Sequence, residues 1–166
     1  MNDCIKGPVV LTLICSAVCA ALAGAHMLTA DRIRESESRQ LQDALTEAFG
    51  AGDYQVLDQT FEGVNQIISD SSGLLIFDMT SSGYEKNSQH LLIGISDGVV
   101  SGVRVVSISD SPSQAAAVSD ESFLSQFTGQ TAPDEPYEAV SGATKSSDGI
   151  RRAVSNALKI YCEDME

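Results

Sequence analysis

From Gly7 to Ala30 the chain runs 24 residues without one formal charge, GPVVLTLICSAVCAALAGAHMLTA. That length matches the roughly 20 apolar residues a helix needs to cross a hydrocarbon core about 30 Å thick. The stretch therefore reads as a transmembrane helix, and residues 1–30 as a membrane anchor. The rival reading is a cleaved signal peptide, for which Ala23-Gly24-Ala25 offers an A-x-A site. Lys6 is the one basic side chain ahead of the run, and the run exceeds the usual apolar region of about 7–15 residues, which favours an uncleaved single-pass anchor. Arg32, Arg34 and Arg39 follow it, interleaved with Asp31, Glu35 and Glu37, so charge asymmetry does not orient the segment.

Everything else must fold from the remaining residues, and these carry the whole formal charge of −13, since Asp3 and Lys6 cancel within the first thirty. Such an acidic surface repels phosphate backbones instead of releasing their counterions, which excludes nucleic acid as a partner. Three of the four cysteines, Cys4, Cys15 and Cys19, lie in or beside the apolar segment and Cys162 stands alone, so no disulfide framework follows. The two histidines, His26 and His90, leave almost no material for a zinc site or a nucleophile-histidine pair. No catalytic residue and no metal ligand is assigned.

Residues 31–50 read as a linking helix: Leu41, Ala44, Leu45, Ala48 and Phe49 recur at three- and four-residue spacing, and Gly50 can close it. Beyond Tyr54 the period changes to two. Strands are expected at Val64–Ser69, Leu74–Met79, His90–Ser96 and Val99–Ser109. The last two form a hairpin in LLIGISDGVVSGVRVVSI, because Asp97-Gly98 supplies the φ > 0 pair of a type I′ turn. A short helix follows in DESFLSQF, with Ser119 as its cap. A Pro-containing loop at Thr131–Pro136 leads to a final amphipathic helix over about Ser147–Cys162 that packs on the sheet. Strands in the middle with helices at both ends give an α+β fold: a transmembrane helix, then a small domain over 51–166 with an antiparallel sheet flanked by helices.

One segment holds features a core does not need, Val140-Ser141-Gly142-Ala143-Thr144-Lys145-Ser146-Ser147, just before the final helix. Gly142 and Ala143 allow close approach to the backbone. The free N–H groups and positive dipole end of the helix favour an anion at Thr144. The hydroxyls of Ser141, Thr144, Ser146 and Ser147 add donors, and Lys145 and Arg151 offer positive charge, so phosphate is the natural guest. A hydroxyl-rich N-cap, with Ser146 or Ser147 closing the first turn, accounts for the same residues without any ligand.

Ser141-Gly142-Ala143-Thr144, followed by Ser146-Ser147, closely resembles the flavinylation motif of the FMN-binding domain family. Together with the anchor, Gly83-Tyr84, the hairpin, the Pro-containing loop and the helix ending in QFTG, it is similar in layout to the G subunits of Rnf electron-transport complexes and to the C subunits of sodium-pumping quinone reductases. The resemblance covers about Gly83 to Leu158 plus the anchor. It implies FMN bound covalently through a phosphodiester to Thr144, with Ser141, Gly142, Ala143, Ser146 and Ser147 around it, installed from FAD by a separate Mg²⁺-dependent flavin transferase. It also implies an electron carrier, not catalytic alone, within a ferredoxin:NAD oxidoreductase coupled to Na⁺ or H⁺ translocation. Its partners would be the other membrane subunits and the lipid bilayer, with the domain on the extracytoplasmic side of the cell (inner) membrane.

Two departures stand out: Glu138 where relatives often carry Asp six residues before the modified Thr, and Asp110-Ser111-Pro112-Ser113-Gln114-Ala115 where relatives carry a loop with two glycines. Ser111 and Pro112 are the candidate neighbours of the flavin ring. A non-redox scaffold subunit and a membrane-anchored FMN-binding regulator are the alternatives.

Overall fold

The computed structural model describes residues 3–50, 52–57, 59 and 61–165, without the side chains of 3–9 and 25–38. Helix α1 spans Asp3–Phe49 and ends where Gly50 adopts φ +88°, its N–H donating to the Thr46 carbonyl. Residues up to Leu41 form one compact unit and Gln42–Glu166 a second, so the last turns of the expected linking helix belong to the folded domain. Among the described residues no helix is long and apolar enough to cross a membrane. Of the apolar run, the side chains of Val10–Gly24 are described and exposed; the rest of the expected 1–30 anchor lies outside the described side chains.

The domain is α+β. Five strands, β1 (Gln55–Leu57), β2 (Val64–Ser69), β3 (Leu75–Ser81), β4 (Gln89–Ser96) and β5 (Val99–Ile108), pair antiparallel in sequence order. The β4–β5 hairpin turns at Asp97 (φ 51°) and Gly98 (φ 74°), the left-handed pair the sequence demands. After the sheet come α2 (Pro112–Val118), α3 (Glu121–Leu124) with a 3₁₀ turn over Ser125–Phe127, and α4 (Thr144–Ile160), which runs on into a π turn over Tyr161–Met165.

Side-chain alternation gives the sheet two apolar faces. On one, Ile67, Phe77, Met79, Leu91, Ile93 and Ile95 meet Ile150, Val154, Ala157 and Leu158 of α4 and Val118, Phe123 and Phe127 of the short helices. Each of the larger side chains among them contributes about 1.5–3 kcal/mol on burial. On the other, Ile76, Gly94 and Gly102 lie in register across β3, β4 and β5. The missing side chains of Gly94 and Gly102 form a slot for the Phe49 ring of α1: a Cβ at Gly94 would lie 2.3 Å from Phe49 Cε1. Glu47 pairs with Arg104 beside it. The helix expected to serve as a link is thus, in its last two turns, a cover for the sheet. Further along this face the buried Asp78 carboxylate accepts hydrogen bonds from Asn65 (2.8 Å), Gln66 (2.9 Å) and His90 (2.6 Å).

Three local expectations change. The cap of α3 is Asp120, whose carboxylate accepts from the Ser122 N–H at 2.9 Å, instead of Ser119. Helix α2 occupies a stretch read as loop, with Pro112 in its first turn. Helix α4 begins at Thr144, three residues before the expected Ser147, and so takes the hydroxyl cluster into the helix itself.

The start of α4 is seated on the sheet at Gly83 and Gly149. A Cβ at Gly149 would lie 2.3 Å from Gln89 Oε1 and 2.7 Å from the Ser82 carbonyl oxygen. In an ordinary helix interior Gly→Ala stabilises by up to about 1 kcal/mol. Here Gly149→Ala should have the opposite sign and lower stability by about 1–3 kcal/mol, which a lower midpoint in urea unfolding of the purified protein would register.

Candidate functional site

Val140-Ser141-Gly142-Ala143 forms a tight turn closed by the Ala143 N–H donating to the Val140 carbonyl at 3.0 Å. Gly142 has φ +81°, the left-handed value that the third residue of a type II turn requires. The chain then enters α4 directly. Its N-cap is Ala143, which has no side chain able to accept a hydrogen bond, so the N–H groups of the first turn receive no side-chain cap. Thr144, at the first helical position, is exposed, as are Ser141, Gly142 and Lys145. Among the described residues nothing hydrogen-bonds the Thr144 hydroxyl. An unpaired hydroxyl thus stands over an uncapped helix N-terminus, where a negative charge is favoured by about 0.3–1 kcal/mol.

Ser146 and Ser147 are placed differently from the expectation that they offer donors to a ligand. Both are buried, at 1% and 0% exposure. Ser146 Oγ donates to Asp110 at 2.6 Å, and Ser147 Oγ donates back to the Ala143 carbonyl at 3.0 Å while accepting from the Val140 N–H at 3.1 Å. Ser147 therefore ties the turn to the helix, and Ser146 ties the helix to the end of β5. Neither caps the helix. Arg151 also leaves the site: it lies 3.6 Å from Asp134 and over the Tyr137 ring, along α4 from Thr144. Glu138 is exposed, and its backbone N–H and carbonyl are bound by the Gln126 side chain.

The loop after β5 is brought to the motif. Ser111 Oγ donates to Gln114 Oε1 at 2.8 Å, and Gln114 Nε2 donates to the Gly142 carbonyl at 3.2 Å, so the first turn of α2, with Ser111 and Pro112, stands beside the Gly142 turn. On another side Lys145 Nζ lies 5.0 Å from the centroid of the Tyr84 ring. The residues drawn together around Thr144 are therefore Ser141, Gly142, Lys145 and, from distant parts of the chain, Gln114 and Tyr84.

Asp110 and Gln89 hold these parts together, and sequence reasoning gave neither a structural role. Gln89 is fully buried and donates to the Ser146 carbonyl at 2.9 Å, while its Oε1, pressed against Gly149, has no partner. Asp110 accepts from Ser146 and, at 3.4 Å, from the Glu85 N–H. Burial by itself pushes the Asp110 carboxyl up. Hydrogen bonds from Ser146, Ser88 and the backbone N–H groups of Glu85 and Tyr84 outweigh it and hold the carboxyl below its ordinary value. The signal that could have singled out Asp110 was an acidic residue at a strand end in a hydroxyl-rich loop, which by itself is common.

Residues 83–159 match the family model described as the FMN-binding domain. A search of curated proteins returned no match. The matched stretch runs from the loop holding Tyr84 to the last turn of α4 and contains every residue placed around Thr144. FMN is the cofactor this match supports, and the residues present fit it: the helix N-terminus has no side-chain cap on its N–H groups, and nothing lies within 4 Å of where a Cβ at Gly142 would stand. The match suggests a flavin-carrying electron-transfer role.

The depressed Asp110 pKa has a definite sign. A carboxyl whose folded pKa lies below its unfolded value near 3.9 contributes stability that is complete above about pH 4 and lost as pH falls through the folded value. Asp110→Asn should therefore lower the urea midpoint at pH 7, and its deficit relative to wild type should shrink as the pH is taken below about 4. A deficit independent of pH would show that the carboxylate charge is not what holds the junction.

Proposed function

We propose that this chain is the flavin-carrying electron-transfer subunit of a membrane-bound ferredoxin:NAD oxidoreductase coupled to Na⁺ or H⁺ translocation, with FMN joined to Thr144 through a phosphodiester. The observation that carries the reading is the exposed, unbonded Thr144 hydroxyl at the uncapped start of α4, inside the stretch matched to the FMN-binding domain. The apolar run Gly7–Ala30 would anchor the chain in the cell membrane as a single pass, with the domain on the extracytoplasmic side and the other membrane subunits of an Rnf-type complex as neighbours.

Attachment is a substitution at phosphorus carried out by a partner enzyme. Thr144 Oγ would form the bond to the flavin-side phosphorus of FAD as the phosphoanhydride bond breaks, with AMP leaving and the hydroxyl proton passing to a base of the Mg²⁺-dependent transferase. The chain's own contribution is access and charge. Thr144 and the Gly142 turn are exposed to a partner enzyme, and the first N–H groups of α4 would face the one negative charge that the diester retains. FMN, once bound, supplies one- and two-electron transfer, and the protein positions it and sets its electrostatic surroundings.

Thr144→Ala removes the attacking oxygen and little else. In a host supplying the transferase, the wild-type chain should run as a fluorescent band under ultraviolet light after denaturation and show one FMN in its intact mass, and Thr144→Ala should lose both. Its stability should stay within about 0.5 kcal/mol of wild type, because the residue is exposed and without a hydrogen bond. A flavin band that persists in Thr144→Ala would move the attachment elsewhere. A wild-type chain that is colourless under the same conditions would favour a scaffold role for the S-G-A-T turn.

A further inference from the structure

Three of the four tyrosines are tied into the fold. Tyr54 donates to the Gly50 carbonyl, Tyr137 stacks on Phe127 and donates to Asp148, and Tyr161 packs against the core. Tyr84 differs: it is 64% exposed and, among the described residues, its hydroxyl has no hydrogen bond. A lone exposed aromatic is ordinary on a protein surface, so exposure alone says little. Two further features set this one apart. The ring is in contact with Lys145, the residue that follows Thr144. The loop beneath it is also fixed, although the side chain is not. Gly83 N–H donates to Ser88 Oγ at 3.2 Å, Asn87 N–H to Ser82 Oγ at 3.0 Å, and Glu85 N–H to Asp110. Because Asp110 also holds Ser146 of α4, one carboxylate ties the loop that carries Tyr84 to the helix turn that carries Thr144.

From this placement we infer that Tyr84 is the platform on which the isoalloxazine ring stacks once FMN is attached. The inference rests on the attachment at Thr144 proposed above. A flat aromatic ring tethered at Thr144 is best covered by an aromatic surface that is both exposed and within reach, and the remaining groups gathered at the site are small or polar. Offset stacking of two aromatic systems favours that surface over the solvent. Lys145, now above the Tyr84 ring, is then free to face the diester or to remain over the second face of the tyrosine.

The test uses the full chain loaded by the flavin transferase, with flavin emission read in the native state and again after denaturation of the same sample. Denatured emission counts attached flavin; the native-to-denatured ratio reports stacking, because a tyrosine in contact donates an electron to the excited ring and quenches it. Wild type should be strongly quenched when native. Tyr84→Leu should carry the same amount of flavin, with a native ratio raised severalfold and the visible circular dichroism of the ring lost. Tyr84→Phe, a poor electron donor that still stacks, should regain emission yet keep the dichroism, and Tyr84→Trp should stay quenched. Should Tyr84→Leu fail to fold, Tyr84→Phe carries the test alone. A loaded Tyr84→Leu or Tyr84→Phe protein with the wild-type ratio overturns the stacking inference and leaves the attachment standing. No emission from denatured wild type overturns the attachment and this inference together.

Discussion

The hydrogen bond from Ser146 to Asp110, with the one from Gln89 to the Ser146 carbonyl, joins three parts of the chain that lie far apart in sequence. Asp110 follows β5, the Gly83–Ser88 loop connects β3 to β4, and Ser146 lies in the first turn of α4. Both partners are buried, so losing the Asp110 acceptor would leave the Ser146 hydroxyl with a desolvation penalty of about 1–3 kcal/mol, whereas Asp110 would keep its bonds from Ser88 and the Glu85 N–H. The absent side chains of Gly83 and Gly149 let the polar groups close to this distance: a Cβ at Gly83 would lie 2.4 Å from Asp110 Oδ2 and 2.5 Å from Gln89 Nε2. Apolar burial against the sheet holds α4 in place along its length, but apolar contact is non-directional. The angle and height at which the helix N-terminus emerges are set by this polar junction. The positions of Thr144, Lys145 and the Gly142 turn follow from it.

The sequence made parts of this legible for identifiable reasons. The β4–β5 hairpin was readable because Asp97-Gly98 is nearly unavoidable in a two-residue turn, and the apolar stripe of α4 because four turns repeat it. The beginning of α4 was not. With Ala143 at the cap the helix starts without a side-chain signal, and the hydroxyls of Ser146 and Ser147 then look like caps displaced by a turn. What distinguishes a capping serine from a buried one is its partner, and the partner of Ser146 lies 36 residues away. Helix α2 was hidden because proline marks loops and first helical positions alike. Strand β1 is three residues long at the sheet edge, too short for a period to show. The seating of Phe49 over Gly94 and Gly102 required knowing which residues of β4 and β5 lie side by side, and two register shifts in that pair defeat counting along the chain. From its residues the segment offered Thr144 only as a place for an anion, and the expectation of a covalent flavin there came from the resemblance, since hydroxyls, glycine and a following helix describe many ordinary caps.

The openness of the site bears on why a covalent link would be used at all. Pockets that hold a small molecule by affinity commonly bury most of its surface. Here Ser141, Gly142, Thr144, Lys145 and Tyr84 are all exposed. A helix N-terminus contributes a few tenths to about 1 kcal/mol, and an exposed cation or aromatic contact about as much, too little in sum for tight retention of a free nucleotide. A diester to Thr144 removes that requirement, because the cofactor then cannot dissociate whatever its non-covalent affinity. The surface can stay shallow and leave an edge of the ring open to an electron donor or acceptor. The same contrast runs through the hydroxyls of the segment: Ser146 and Ser147, which fix the geometry, are buried and hydrogen-bonded, while among the described residues the exposed Thr144 hydroxyl has no partner. An exposed site can be accurate only if the precision resides beneath it, and in this domain it resides in the contacts of Asp110, Gln89 and the two close-packed glycines.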